Sequence, residues 1–436
     1  MFTHIINFVP LFIASSFFIL LWIQTGLFMI PCLFINNTSI NLSDALFNAA
    51  STLCSTGTLS IPFCFFSSIG KLLLLGMIQI GGIGILTLLI SMVLFLSKGS
   101  MGLYVFASEL FDIEGKKRIK QCALVMFTII CIVEFIGALL LYFFAYTKGT
   151  TCSLFDALFF SVDMFCNAGF TIHNDNLNWF INTQEYFIIS SLLMIIGSLG
   201  FIFFFEIIQI YLLKNKNTFS LSVKLIFWGY GITTIIAWFF YWYFSENASY
   251  TSFGIIRSLF SAISLRNCGI FPYEITQCSH SMLVWTSLYG IFGGCPLGTG
   301  GGLKNSIICI LFAGLYNMIF QRDYIIFFKK KISSSIVLYS FFIFSLLFIF
   351  TLCITNILNT ITYNTFDYGL LFSNVLGMIT GSGLLWEDII NYSLFVKMIL
   401  IFTMCCGKIG ITFLLLRSGQ KKNPSITYPE EKIVLL

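Results

Sequence analysis

Charge is scarce in this chain. Only 9% of its 436 residues are Asp, Glu, Lys or Arg, while 58% are hydrophobic and the mean hydropathy is +0.94. A soluble domain carries roughly 25% charged residues, so an ordinary water-soluble enzyme is excluded. The net charge of +5 is too diluted to suggest nucleic-acid binding. Period-two alternation is missing from the apolar runs, which argues against a transmembrane β-barrel. The 14 cysteines contain no C-x-x-C pair, and His4, His173 and His280 are scattered, so no zinc or thioredoxin-like site is expected. Cys131, Cys309 and Cys353 fall inside apolar runs and read as small hydrophobes. The first run, Ile5 to Ile30, lacks a basic leader and a small-residue cleavage site, so it reads as a span and not as a cleavable signal. A Ser-His-Asp or D-x-D-like cluster is also missing, and a polytopic membrane enzyme would need such a set at one interface.

What the chain has is eight long apolar runs, near residues 5–34, 70–96, 121–146, 186–213, 221–245, 282–320, 333–357 and 393–416. Each is long enough to cross a bilayer as a helix. Between alternate pairs lie shorter segments, Ser43–Leu53, Leu154–Cys166, Ser252–Asn267 and Thr365–Thr380, suited to half-helices that dip in and return. Each ends in a small-residue turn, and the turn glycines Gly57, Gly169, Gly269 and Gly381 are separated by 112, 100 and 112 residues. A near-constant period with one repeated motif predicts tandem units packed around an axis. The expected architecture is an all-α polytopic membrane protein of four membrane–pore-loop–membrane repeats, 1–97, 98–215, 216–331 and 332–418, with a cytoplasmic tail over 419–436.

Lys98, Lys116, Lys117, Arg118, Lys120, Lys214, Lys216, Lys224, Arg322, Lys329, Lys330, Lys331, Arg417, Lys421, Lys422 and Lys432 fall on one side. The positive-inside rule makes that side, with both termini, cytoplasmic. The glycine turns then face outward, together with Asp44, Asp156, Asp163, Asp175, Glu185, Glu246, Glu274, Asp367, Glu387 and Asp388, which would favour an arriving cation. A dehydrated monovalent cation needs oxygens in place of water, and backbone carbonyls supply them without a full charge. Aiming them takes backbone turns that a Cβ often obstructs. Four outward glycine turns, each after a half-helix whose C-terminal end carries partial negative charge, read as a cation pore.

The turns Ser55-Thr56-Gly57, Asn167-Ala168-Gly169-Phe170 and Arg266-Asn267-Cys268-Gly269 resemble the filter segments of the Trk/Ktr/HKT potassium transporters, as do Ile80-Gly81-Gly82-Ile83-Gly84, Gly293–Lys304 and Cys406-Gly407-Lys408-Ile409-Gly410 elsewhere in the chain. The resemblance spans nearly the whole chain. It implies four units around one pore, two subunits per assembly, and cytoplasmic nucleotide-binding regulatory subunits. The expected filter comprises Ser55, Thr56, Gly57, Asn167, Ala168, Gly169, Asn267, Cys268, Gly269, Thr380, Gly381 and Gly383, with a potassium ion, or sodium, at the carbonyls of Gly57, Gly169, Gly269 and Gly381. In the fourth turn Gly381 and Gly383 compete, and repeat spacing favours Gly381. Lys408 stands where the family usually carries arginine.

Gly293, Gly294, Pro296, Gly298, Gly300, Gly301 and Gly302, ending at Lys304, break a helix in mid-membrane. The pattern is not a phosphate loop, because Leu303 separates Gly302 from Lys304. A mobile loop that obstructs the pore, with Lys408 as a positive barrier, is the expectation. Glu134, inside a span, is expected to be a buried hydrogen-bonded acid, and Arg266 to brace a pore helix and not to meet the ion. The reading is uptake of monovalent cations, most of all potassium, with a sodium-selective or sodium-coupled transporter of the same fold as the alternative.

Overall fold

A computed structural model of the chain describes residues 2–35, 38–95, 116–149, 152–170, 183–212, 218–244, 252–272, 279–296, 298–321, 325–328, 330–362, 367–383 and 393–410. The elements follow one order four times: a long helix, a short helix, then a further helix. The first set is α1 (Phe2–Phe28), α2 (Leu42–Cys54) and α3 (Ser68–Phe95), the last of these kinked at Gly84. The second is α4 (Lys116–Thr147), α5 (Leu154–Cys166) and α6 (Gln184–Leu199), which bends at Gly200 into α7 (Phe201–Ile207). The third is α8 (Leu221–Phe244), α9 (Ser252–Asn267) and a helix interrupted by the glycine stretch, giving α10 (His280–Tyr289) and α11 (Asn305–Ile319). The fourth is α12 (Ser334–Ile361), α13 (Tyr368–Thr380) and α14 (Leu394–Cys405), ending in a π turn over Cys406–Gly410.

The all-α expectation needs one amendment. β1 (Ile325–Phe327) and β2 (Lys330–Ile332) form an antiparallel hairpin between the third and fourth sets. Ile325 and Ile332 pair across it and pack with Val337.

Local chemistry explains where the short helices start and stop. Ser153 caps α5 in a reciprocal box, its Oγ accepting from Asp156 N at 3.1 Å while Asp156 Oδ2 accepts from Ser153 N at 3.2 Å. Asp367 caps α13 by accepting from Gly369 N at 2.8 Å. Left-handed residues end α2, α5 and α13: Ser55 (φ 58°), Asn167 (φ 52°) and Gly381 (φ 72°). This is the usual way to halt a helix, and asparagine tolerates that conformation better than most side chains.

Burial is inverted relative to a water-soluble protein. The stretches Phe47–Cys54 of α2 and Phe159–Cys166 of α5 are wholly buried at the centre. By contrast α4, α8 and α12 leave Phe135, Ile235 and Leu338 exposed along their outer sides. Such surfaces suit hydrocarbon as solvent. Among the described residues, three helices are long and apolar enough to cross a bilayer: Phe127–Thr147, Leu221–Phe244 and Ser334–Ile361. Gln184–Leu199 with Ile202–Tyr211 makes a fourth if the 80° bend lies within one span.

Candidate functional site

The short helices end at one place, and their turns interlock. After each left-handed cap the chain runs two residues to a glycine: Gly57 (φ 76°), Gly169 (φ 76°) and Gly383 (φ 60°). The third helix runs to Asn267, and its glycine is Gly269 (φ 70°). A Cβ at Gly383 would fall on the Thr56 carbonyl oxygen, one at Gly57 on that of Ala168, and one at Gly169 on that of Cys268. The fourth turn thus abuts the first, the first the second, and the second the third. No side chain fits at these junctions, which is why glycine occupies them.

This register corrects the fourth turn. Gly383, not Gly381, is the counterpart of Gly57 and Gly169. Gly381 takes the helix-capping place held by Ser55 and Asn167. Repeat spacing misleads here because the connections between sets differ in length.

Behind the turns, side chains of the short helices hold the backbone in place. Ser51 Oγ accepts from Thr58 N at 3.0 Å and from Thr56 Oγ1 at 2.9 Å. Asp163 Oδ1 accepts from Phe170 N at 3.1 Å. The Ser264 hydroxyl donates to the carbonyl of Ile270. In the fourth turn the helix backbone does this work, with Gly383 N donating to Gly377 O at 3.1 Å. Ser51, Asp163 and Gly377 each stand six residues before a turn glycine. That offset is present in the sequence, but serine, aspartate and glycine share no side-chain chemistry that would single it out there.

Asp163 is therefore no solvated outer acid. It is fully buried, and its Oδ1 is committed to the turn. Other outer acids are engaged locally. Asp44 pairs with Lys397 at 2.6 Å, Glu185 with Lys148 at 3.0 Å, and Asp156 and Asp367 cap helices. Asp175, Glu246, Glu274, Glu387 and Asp388 lie outside the described residues.

The interrupted helix passes beneath the second and fourth turns as a hydrogen-bonded wedge. Cys295 N donates to Ser198 O at 3.0 Å, Thr299 N to Gly197 O at 3.1 Å, and Gly302 N to Thr380 O. Asn167 Nδ2 donates to Thr299 Oγ1 at 2.6 Å. Internal bonds link Gly293 N to Leu303 O and Gly294 N to Gly301 O, each at 2.9 Å. Any movement of Gly293–Lys304 must break these contacts, so glycine content alone overstates its freedom. Leu297 lies outside the described residues. Lys304 Nζ donates to Gly300 O at 3.0 Å.

Lys408 approaches from the last helix. Its Nζ lies 3.3 Å from Cys54 O and 3.5 Å from Ser55 Oγ, and its Cε would be 3.7 Å from a Cβ at Gly84. A cation at the C-terminal end of α2 meets the negative end of that helix dipole. Arg266, at the end of α9, braces that short helix against α8 and the start of the wedge. It is 1% exposed, with Nε donating to Gly293 O at 2.7 Å, Nη1 to Thr233 Oγ1 at 2.8 Å, and its guanidinium 4.0 Å from the Tyr230 ring centroid. Glu134 accepts from Gln79 Nε2 at 2.8 and 3.1 Å, and its own carbonyl accepts from Ser161 Oγ at 2.6 Å. This is the structural role expected of it.

The family model for TrkH, described as a cation transport protein, matches residues 15–426. The chain belongs to the TrkH family. It is a transporter and not an enzyme, and a multi-pass membrane protein. The potassium/sodium uptake protein NtpJ of Enterococcus hirae is 26% identical over 97% of this chain and 96% of its own length. The Ktr system potassium uptake protein D of Bacillus subtilis is 25% identical with the same coverage. The crystal structure of the potassium transporter TrkH from Vibrio parahaemolyticus matches 92% of this chain and 84% of its own with a TM-score of 0.68. At 19% identity that likeness shows the fold.

Proposed function

We propose that this TrkH-family chain carries monovalent cations, potassium foremost, into the cell through a filter of backbone carbonyls. The observation that carries the reading is the side-by-side packing of the turns, in which Gly383, Gly57 and Gly169 each abut the carbonyl of a neighbouring turn. Such packing brings together carbonyl oxygens that can replace water around a cation. The filter would comprise Ser55-Thr56-Gly57, Asn167-Ala168-Gly169, Asn267-Cys268-Gly269 and Thr380 to Gly383, with the ion at the carbonyls of Gly57, Gly169, Gly269 and Gly383. The wedge Gly293–Lys304 and Lys408 would form the barrier beneath it.

Eight spans in the four units 1–97, 98–215, 216–331 and 332–418 complete the reading. Both termini, with the tail 419–436, lie on the cytoplasmic side of a cell (inner) membrane, as the lysine and arginine distribution favours. The working assembly is a homodimer with a cytoplasmic nucleotide-binding regulatory subunit. Sodium is the second candidate ion, favoured by the potassium/sodium uptake named for the Enterococcus relative.

The deciding experiment measures potassium and sodium flux into proteoliposomes. Potassium flux well above protein-free vesicles, and above sodium flux, is expected. Sodium flux exceeding potassium would transfer the assignment to sodium. The absence of flux for both ions, with and without the regulatory subunit, would overturn the reading.

A further inference from the structure

We propose that the groove between α8, α11 and the β1–β2 hairpin binds one anionic phospholipid, its acyl chains in the groove and its phosphate at Lys224, Lys330 and Lys331. The cavity measures about 990 Å³ and is walled by apolar side chains, among them Trp228, Ile232, Ile308, Phe312, Ile326 and Phe328. Its volume lies at the upper end of the range of about 300–1,000 Å³ usual for small-molecule sites. Trp228 is 57% and Phe312 58% exposed, so the groove opens along the outer side of the helices, where hydrocarbon is the solvent. At its floor α8 and α11 meet closely, since a Cβ at Gly229 would fall on Cys309 Sγ.

The groove has one charged end. Lys224 Nζ lies 5.6 Å from the centroid of the Phe328 ring, which lines the groove. Lys224 also stands four residues before Trp228 on α8, one helical turn away on the same side. Across the hairpin, Lys331 pairs with Ile326 and Lys330 with Phe327. Directly opposed residues share a face of the ribbon and successive ones alternate, so each lysine stands beside a groove-lining position, one on either face of the hairpin, within reach of its edge. Both are exposed. A trough for hydrocarbon that ends in three cations matches an amphiphile with a negative head. A zwitterionic lipid would gain the trough alone, and a soluble anion the lysines alone.

The site bears on the ion path, an extension that rests on the transport reading. Thr233 lines the groove and accepts from Arg266 Nη1, while Arg266 Nε holds Gly293 O at the start of the wedge. Helix α11 begins where the wedge ends. Filling the groove thus loads both sides of Gly293–Lys304, and anionic lipid should raise flux.

Binding is read without transport, by native mass spectrometry of the full chain in detergent with phosphatidylglycerol or phosphatidylcholine of matched acyl chains. The wild-type chain should retain phosphatidylglycerol at least about tenfold better, the scale that one to two lysines near anionic lipid supply. The combined Lys224→Ala, Lys330→Ala and Lys331→Ala variant should show near parity, and Ala313→Trp, which fills the groove, should retain less of both lipids. Equal retention by the wild-type chain overturns the proposal, and that comparison needs no variant to fold. Ala313→Trp changing the oligomeric mass while lipid retention stays intact would assign the groove to a second copy, and also overturns it. In proteoliposomes the triple-alanine variant should lose about threefold in flux with phosphatidylglycerol present and none without it. Unchanged flux after proven loss of binding overturns the link to the ion path. A wild-type chain that binds phosphatidylglycerol yet passes no ion would sink the transport reading and leave the lipid site standing.

Discussion

Lys408 Nζ points at the carbonyl oxygen of Cys54, 3.3 Å away, and so joins the last helix to the end of the first short helix, one residue before the first turn. A fixed ammonium at this place ties down a helix C-terminus, and on the proposed transport reading it would also raise the energy of a cation passing the turns. The two effects separate on mutation. A unit charge acting over about 10 Å at an effective dielectric near 20 contributes about 1.7 kcal/mol. Lys408→Ala should therefore raise flux per folded molecule by roughly an order of magnitude, while lowering folded yield. Flux and yield measured together decide it, since a fall in both would leave Lys408 with the structural role alone.

The wedge makes a companion prediction. Thr299 is held by Asn167 Nδ2 at 2.6 Å and itself donates to Phe165 O at 2.9 Å. Thr299→Val keeps the shape and removes both bonds, each with a net value of about 1 kcal/mol. Flux through the variant should rise several-fold at unchanged potassium/sodium preference. A changed preference with unchanged rate would place Thr299 in the filter's support and not in the barrier.

Substitution in the fourth turn distinguishes its two glycines. Gly383→Ser forces a side chain against the Thr56 carbonyl in a left-handed backbone, a strain of about 1–3 kcal/mol. Gly381→Asn puts a residue at the cap that Asn167 already fills in the second turn, and asparagine accepts that conformation. Relative potassium and sodium flux should change several-fold in the first variant and little in the second. The opposite ranking would return the ion contact to Gly381.

Asp163 supplies a buried acceptor to Phe170 N. Asp163→Ala leaves that donor unsatisfied, at about 1–3 kcal/mol, and should loosen the second turn. Reduced thermal stability together with weakened ion discrimination is expected, with Asp163→Asn, which keeps an acceptor oxygen, recovering most of both. Full discrimination in the alanine variant would show that the turn holds without it.

Partner docking is expected chiefly at Lys116–Lys120 and on the tail, because Lys330 and Lys331 of the second basic run, Lys329–Lys331, are assigned to the lipid site. The side chains of the first run, Lys329 and residues 411–436 all lie outside the described residues. Reversing the charge at Lys116, Lys117 and Arg118 should reduce co-purification of the regulatory subunit several-fold at moderate salt. Undiminished recovery of the complex would move the docking surface elsewhere.

The helical, membrane-suited character of the chain was legible in one dimension because the membrane imposes simple rules on a chain. Apolar run length marked the long helices, and the bounds of α5 and α9 coincide with segments picked out by hydrophobicity and their terminal turns. The break before Asn305 followed from glycine and proline, which cannot sustain a helix. The bracing by Arg266 and the buried role of Glu134 followed from the cost of placing charge in an apolar medium. Family membership, too, was carried by local motifs. Tertiary packing alone decided which oxygen each turn glycine faces, because Gly383 and Thr56 are distant in sequence and meet only when the fourth turn closes on the first. The same holds for Asp163, whose spacing resembled that of a loop acid until burial gave it a backbone N–H to bind, and for the wedge, whose glycines promise freedom that hydrogen bonds to Ser198, Gly197 and Thr380 remove. Sequence pattern reports what each residue can do in a solvent, whereas which neighbour replaces that solvent is settled only in three dimensions.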